Sequence, residues 1–129
     1  IGLPGDDEVD TIETGKIISA LPTHEVKLHA LYIIKNTRMA QWYKNGEISL
    51  ITVEEYVNRV ISFLEYSRSD LVFQRLIGRA PEEATDFSNW SMGWWRIRDM
   101  IESEMATRQT FQGRKCDYLG GKAVRHFGK

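Results

Sequence analysis

The stretch from residue 26 to residue 34, Val-Lys-Leu-His-Ala-Leu-Tyr-Ile-Ile, constrains the fold of this chain more than any other. An extended chain places alternate side chains on opposite faces. Here the even-numbered positions are all apolar, and the odd-numbered positions are apolar apart from Lys27 and His29. A strand that is apolar on both faces is typical of a parallel sheet covered by helices. The stretch therefore predicts an α/β fold with a parallel strand over 26–34.

The segment before this strand resembles the later part of a βαβ unit. A glycine-containing turn at 2–5 is followed by acidic residues at 6–8, which favour a helix N-terminus, and helical spacing continues until Pro22. The first strand of such a unit would precede residue 1. We therefore expect this chain to be a fragment whose N-terminal partner segment is missing.

Two helices are predicted after the strand. Thr37 is placed to cap a short helix over 38–44. Thr52 and Glu55 have the spacing of a capping box, and they precede an amphipathic pattern that predicts a helix over 53–66.

The rest of the chain predicts a strand and a helix separated by a polar loop. Residues 71–77 have the composition of a strand, and residues 82–90 are polar. Ser91 or Asn89 is expected to cap a helix that continues to Arg108.

The two ends of the chain differ in charge. Acidic residues dominate 1–25 and basic residues dominate 108–129, so the basic end could contact nucleic acid, or it could be a solvated terminus. We expect this segment to be irregular, with Phe111 and Tyr118 as the side chains that could dock on the body.

Composition excludes several classes of protein. The chain has 129 residues, of which 42% are hydrophobic and 27% charged, and these values fit one soluble globular domain. No apolar run reaches the roughly 18 residues of a membrane span. Cys116 is the only cysteine, which excludes an internal disulfide and favours a reducing compartment. We therefore expect a cytoplasmic protein with no membrane contact.

A series of short motifs carries a resemblance to a known family. The motifs, in chain order, are Gly-Leu-Pro-Gly-Asp at 2–6, Val-Lys-Leu-His at 26–29, Lys-Asn-Thr-Arg-Met-Ala at 35–40, Glu-Glu-Tyr at 54–56, Arg-Leu-Ile-Gly at 75–78 and Arg-Gln-Thr-Phe-Gln-Gly at 108–113. Together they resemble the later half of a radical S-adenosylmethionine (radical SAM) enzyme, and most closely an uncharacterised bacterial family described as Fe–S oxidoreductases. Two positions depart from the family pattern: Asp6 replaces a glutamate and Asn36 replaces a glycine.

The resemblance implies a fold and a division of the chain. Residues 1–81 would form the last strands and helices of a (β/α) radical SAM-type barrel. Residues 82–112 would form a helical C-terminal extension, and residues 113–129 a basic, glycine-containing tail. A half-barrel exposes strand edges, so we expect the fragment alone to form a homodimer or to rearrange.

The resemblance also implies cofactors that this chain does not bind alone. Members of the family hold a [4Fe–4S] cluster, through three closely spaced cysteines, together with S-adenosylmethionine. This chain has a single cysteine. The cluster and the cofactor would therefore belong to the full-length protein.

Seven residues are candidates for the site of the intact enzyme. Gly2, Pro4 and Gly5 lie in a turn that borders the cofactor in radical SAM enzymes, although these glycines could serve only the turn itself.

The other four are candidates to line the substrate. Lys27 and His29 share one face of the strand, where they could bind an anionic group or relay a proton. Lys35 follows the strand, at the edge where α/β barrels carry their chemistry. Arg75 joins an apolar row, and a buried arginine needs a ligand or an internal carboxylate as its partner.

Two functions remain open from the sequence. The first is the C-terminal portion of a radical SAM Fe–S oxidoreductase, which contributes cofactor-edge and substrate contacts and is not catalytic alone. The second is a small module that binds nucleic acid or protein through the basic tail and a tryptophan-rich helix, because the rings of Trp90, Trp94 and Trp95 could stack on bases or pack in an interface.

Overall fold

The computed structural model describes residues 1–117 of the chain. In this part of the chain, four α-helices combine with four short strands, in the order α1 (Glu8–Ala20), β1 (Glu25–Lys27), β2 (Ile33–Ile34), α2 (Arg38–Lys44), α3 (Val53–Tyr66), β3 (Val72–Arg75), β4 (Thr85–Phe87) and α4 (Trp94–Arg108). Two single-turn 3₁₀ helices, Glu82–Ala84 and Asn89–Ser91, flank β4. The fold is therefore mixed α/β.

The strands form two small sheets. β1 pairs with β3 in parallel, with Glu25 opposite Val72 and Lys27 opposite Arg75, and β2 pairs with β4 in the antiparallel direction. The parallel pairing agrees with the sequence-based prediction. The backbone of Ile1 lies along the other side of the chain that follows β1, because its nitrogen donates to the His29 carbonyl at 3.0 Å and its carbonyl accepts from the Leu31 nitrogen at 3.1 Å.

The prediction of one continuous strand over 26–34 is wrong. Burial alternates at Leu28 and Ala30, and then the buried position moves to Ile33, so the alternation changes phase between the two strands. The chain leaves the parallel sheet at this point and joins the antiparallel one. The expectation that both faces are covered is wrong as well, since Lys27, His29, Tyr32 and Ile34 are exposed. Within residues 1–117 each sheet has two strands, and helices cover one face.

Local capping explains where the first three helices begin. Asp7 and Asp10 form a reciprocal capping box at the start of α1, with both bonds at 3.0 Å. The hydroxyl of Thr37 accepts the Ala40 amide at 3.2 Å, and that of Thr52 accepts the Glu55 amide at 3.1 Å. The predicted ranges of α2 and α3 are confirmed.

The start of α4 differs from the prediction. Its N-cap is Gly93, without a side-chain capping bond, and neither Ser91 nor Asn89 serves as the cap. Both residues belong to a tight turn of positive φ, and the amide group of Asn89 donates instead to the Gly78 carbonyl at 2.9 Å. The side chain of Asn89, which the sequence predicted as a helix cap, therefore connects two loops.

Helix α3 is the centre of the core. It packs against α1 and α4, and its side chains dominate a cluster of buried apolar residues, namely Leu28, Ala30, Tyr56, Val57, Val60, Ile61, Phe63, Leu64, Ile77, Ile97 and Ile101. This cluster includes residues on both sides of position 81. The three-part division of the chain at 81 and 112 stays a prediction.

The segment after α4 is irregular, as expected, but it docks on the C-terminal end of α3. Gly113 and Lys115 donate backbone bonds to the carbonyls of Leu64 and Glu65, at 3.0 and 2.8 Å. Phe111 is 61% exposed, so the expectation that it docks is wrong. Tyr118 and most of the predicted basic tail lie outside the described residues.

No helix within residues 1–117 is long and apolar enough to cross a membrane.

Candidate functional site at the ends of the parallel strands

Three of the predicted substrate-lining residues meet at one edge of the parallel sheet. Lys27 is the last residue of β1, Arg75 is the last residue of β3, and the two lie opposite each other in register. His29 follows two residues after β1. We call Lys27, His29 and Arg75 the cationic cluster. Because the strands are parallel, it lies at their carboxyl ends, the edge at which open and closed α/β sheets bind ligands.

The imidazole of His29 lies against the backbone of Gly78. A methyl group added at Gly78 would be 2.1 Å from Nδ1 of His29, so only glycine leaves room for the ring in this position. Partial burial, followed by the positive charges of Arg75 and Lys27, lowers the pKa of His29 below its ordinary value of 6.5. The lowered pKa favours the neutral imidazole, which can accept a hydrogen bond or a proton.

The backbone beside His29 is anchored to the core. The Asn89 amide group holds the carbonyl of Gly78, and the hydroxyl of Tyr56 donates to the carbonyl of Leu76 at 2.7 Å. Tyr56 is fully buried, and burial raises the pKa of its hydroxyl, which therefore remains a donor. The loop that contacts His29 is fixed by two side-chain bonds from different elements.

The expectation that Arg75 is buried is wrong. Arg75 is exposed, and among residues 1–117 neither its guanidinium nor the Lys27 ammonium forms an ion pair or a side-chain hydrogen bond. The register shifts at the end of the strand pair, where Gln74 of β3 has no partner residue in β1, next to the open face of the sheet. The internal salt bridge considered for Arg75 is absent from the described part of the chain.

Lys35 forms its hydrogen bonds with residues outside the cationic cluster. Its ammonium donates to the carbonyl of Glu83 at 3.0 Å, and its backbone nitrogen donates to the carbonyl of Ala84 at 2.9 Å. The sequence placed Lys35 at the catalytic edge because it predicted a strand that ends at residue 34. The parallel strand ends at Lys27, so the edge is reached seven positions earlier in the chain.

The turn that contains Gly2, Pro4 and Gly5 is closed by Asp6. Gly2 and Gly5 have positive φ angles of 94° and 90°, which glycine adopts without strain. One oxygen of the Asp6 carboxylate accepts the amides of Gly2 and Leu3, both at 3.1 Å, and the other pairs with Arg59 at 2.7 Å. Two amide groups of the turn are therefore engaged inside the chain.

The described residues do not fit the role of cluster ligands. No group of three His, Cys, Asp or Glu side chains within residues 1–117 could hold a metal ion, and Cys116 is the single thiol of the sequence. A [4Fe–4S] cluster needs three thiolates.

Sequence reasoning missed a cavity next to the cationic cluster. It has a volume of about 350 Å³ and is lined by Gln74, Arg75, Ile77, Arg79 and Trp94. One feature of the sequence could have indicated Arg79 as a lining residue: it lies four positions after Arg75, across the end of a strand. The contribution of Trp94 depends on how α4 is placed, and no local pattern reveals it.

Several curated proteins match most of the length of this chain. The chain is 29% identical over 113 residues to the uncharacterized protein YtqA of Bacillus subtilis (strain 168), and this match covers 88% of the chain and 35% of YtqA. It is 31% identical over 114 residues to the uncharacterized protein MJ0486 of Methanocaldococcus jannaschii, with the same coverage of 88% and 35%.

A more distant relative is the protein YhcC of Escherichia coli (strain K12), which is 22% identical over 95 residues, 74% of the chain and 31% of YhcC. The chain thus spans about a third of the length of the curated relatives it matches. No solved structure gives a significant match.

The family assignment comes from a match that spans two thirds of the sequence. Residues 23–107, from the segment before β1 to the last turn of α4, match the Radical_SAM C-terminal domain. The matched range contains the whole cationic cluster and the loop of Gly78. The chain therefore belongs to the Radical_SAM C-terminal domain family.

Proposed function

We propose that this chain is the C-terminal portion of a radical SAM Fe–S enzyme, an oxidoreductase in which it supplies substrate contacts. The observation that carries the proposal is the meeting of Lys27, His29 and Arg75 at the carboxyl ends of two parallel strands. Membership of the Radical_SAM C-terminal domain family supports it. In the intact protein the two strands would continue a barrel sheet, and the cationic cluster would face the substrate of the enzyme.

Each member of the cluster has a distinct role in the proposal. Lys27 and Arg75 carry positive charges that have no partner among residues 1–117, so they bind an anionic group of the substrate. His29, whose lowered pKa favours the neutral imidazole, accepts a hydrogen bond from the substrate or moves a proton. Lys35 bonds to the loop before β4, and we assign it to the outer boundary of the site.

The turn of Gly2, Pro4 and Gly5 borders the cofactor in this proposal. Its neighbour Ile1 bonds to the backbone of His29 and Leu31, so the turn lies beside the cationic cluster. Because Asp6 already holds two amides, the turn contributes a fixed surface. S-adenosylmethionine and the iron–sulfur cluster would be held by the full-length protein.

The test measures 5′-deoxyadenosine, which radical SAM chemistry forms from S-adenosylmethionine. The full-length protein, purified without oxygen and supplied with a reductant, is assayed with and without an extract of its host cells. We expect the wild type to form the product and the extract to stimulate its formation. In Arg75→Ala the stimulation ratio should fall toward one, because a substrate contact is lost. Arg96→Ala is the matched control.

Two outcomes would contradict the proposal. Absence of 5′-deoxyadenosine from a preparation that contains its iron–sulfur cluster would overturn the enzymatic assignment. An unchanged stimulation ratio in Arg75→Ala, with a normal response in Arg96→Ala, would remove Arg75 from the substrate side of the site.

The second candidate function is a module that binds nucleic acid or protein. It is favoured by the exposure of two neighbouring indole rings at the start of α4, since Trp94 is 38% and Trp95 is 53% exposed. Salt-dependent binding of RNA, together with the absence of 5′-deoxyadenosine in the assay described above, would favour this candidate.

A further inference from the structure

We propose that the cavity beside the cationic cluster binds a nucleotide unit, with its phosphate on Arg75 and Arg79 and its base on Trp94. This inference rests on the proposed function, because it names the substrate class of the same site. The cavity is lined by Gln74, Arg75, Ile77, Arg79 and Trp94. Its volume of about 350 Å³ lies within the range of small-molecule pockets.

The first argument is the charge of the cavity. Arg75 and Arg79 both line it, and neither forms an ion pair within 4 Å among residues 1–117. The nearby carboxylate of Glu25 accepts a hydrogen bond from Gln74. Two free guanidinium groups present the planar donors that match phosphate oxygens in pairs. A phosphate would therefore find two cationic partners in one place.

The second argument is the position of the indole ring of Trp94. It is 38% exposed and lines both this cavity and an adjacent one of about 260 Å³, which Arg79 lines as well. Trp95 meets the ring edge-on with centroids 6.1 Å apart, and the Arg98 guanidinium lies 5.3 Å above it. These contacts hold the ring in place. Because Arg98 covers one face of the ring, a base would stack on the other face.

The third argument is the start of α4. Trp94 is the first residue of this 15-residue helix, and no side chain caps it. The dipole of a helix start attracts negative charge, so it adds to the potential of the two arginines. Two arginines and an indole thus line one cavity, and together they fit an anion that carries a ring.

Binding is measured on the full-length protein by titration calorimetry, with S-adenosylmethionine present throughout so that the cofactor site is filled. The probes are inorganic phosphate, the four nucleoside 5′-monophosphates and a single-stranded oligoribonucleotide of mixed sequence. We expect Arg79→Ala and Trp94→Ala each to weaken nucleotide binding about tenfold or more, the effect of one charge-assisted or stacking contact.

Two matched controls accompany these variants. Arg96→Ala removes the same charge from α4 at a residue that does not line the cavity. Trp42→Ala removes an indole that is 39% exposed, and this ring also lies under an arginine, because Arg38 is 5.9 Å from its centre. Both controls should bind like the wild type, and circular dichroism checks that all four variants are folded.

The probes distinguish the source of the nucleotide unit. Binding of a monophosphate that depends on Arg79 and Trp94 supports the proposal and indicates a free nucleotide. Binding of the oligoribonucleotide alone, with the same dependence, supports it and indicates a nucleotide within a nucleic acid. Absence of binding, equal binding by all variants, or a phosphate affinity that matches the nucleotide affinity would overturn it. A protein that binds nucleotide but never cleaves S-adenosylmethionine would overturn only the enzymatic proposal.

Discussion

At the scale of single residues, the chemistry of the site depends on what surrounds His29. Its ring packs on a glycine, and two cations lie near it. Both effects disfavour the protonated imidazole. The first effect comes from contact with the backbone and the second from charges that have no carboxylate partner in the described part of the chain. A substitution can therefore separate them.

We predict that Arg75→Gln raises the pKa of His29 toward 6.5 without reaching it, because burial against Gly78 remains. The measurement is an NMR titration of the assigned His29 resonances in both proteins. A wild-type pKa at or above 6.5 would contradict the prediction.

The same shift has a consequence for stability. A lowered pKa in the folded state means that the unfolded state binds the proton more readily, so stability is full above about pH 6.5 and falls as pH falls toward the folded pKa.

At the scale of elements, α3 is the helix whose start and sides determine most of the packing. Its first turn combines the Thr52 cap with a pair of bonds from the Arg59 guanidinium, which reaches Glu55 within the helix and Asp6 in the glycine turn, both at 2.7 Å. The start of the helix is thus connected to the turn beside the cationic cluster. Glu55, expected to complete a capping box, pairs with Arg59 instead.

We predict that Thr52→Ala lowers the free energy of unfolding by about 1 kcal/mol, the usual cost of losing an N-cap side chain. Urea denaturation at pH 7 gives the value. Thr52→Ser retains the capping oxygen and is the control, expected to stay within about 0.5 kcal/mol of the wild type. Equal losses in both variants would show that the methyl group, and not the cap, is responsible.

At the scale of the whole molecule, the segment after α4 connects the end of the described chain to its central helix. The carboxylate of Glu65 is buried, accepts the hydroxyl of Thr110 at 2.7 Å and pairs with Lys115 at 3.3 Å. Gln112 donates to the carbonyls of Arg68 and Leu71, both at 2.9 Å. These contacts attach the segment after α4 to the last turn of α3 and to the residues that follow it.

We predict that Thr110→Ala destabilises the protein by about 1.5–3 kcal/mol, because it removes a hydrogen bond to a buried charged group. Thermal and urea unfolding both measure the change. Thr107→Ala is the control: its hydroxyl is exposed and bonds only to the Ser103 carbonyl within α4, so the change should remain within about 0.5 kcal/mol. A loss below about 0.5 kcal/mol in Thr110→Ala would mean that Lys115 and water satisfy Glu65.

The sequence by itself determined the ranges of α2 and α3 and the parallel direction of the pairing between β1 and β3. Thr37 and Thr52 are local signals, because a capping oxygen bonds to an amide only two or three residues away. The parallel pairing of β1 and β3 agrees with the prediction from the apolar run, although the premise that both faces of the run are covered is wrong. Lys27, His29 and Arg75 were identified because of their residue types and their positions in the motifs.

Tertiary structure alone decided where the chain changes sheets and which residues meet. The apolar run over 26–34 fits one strand or two, and only the partners β3 and β4 divide it. Arg75, expected to be buried, is exposed because the face of a two-stranded sheet remains open beside it. The contact of His29 with Gly78 and the cavity of Arg79 and Trp94 join segments that lie far apart in sequence. Long-range packing of this kind leaves no local pattern.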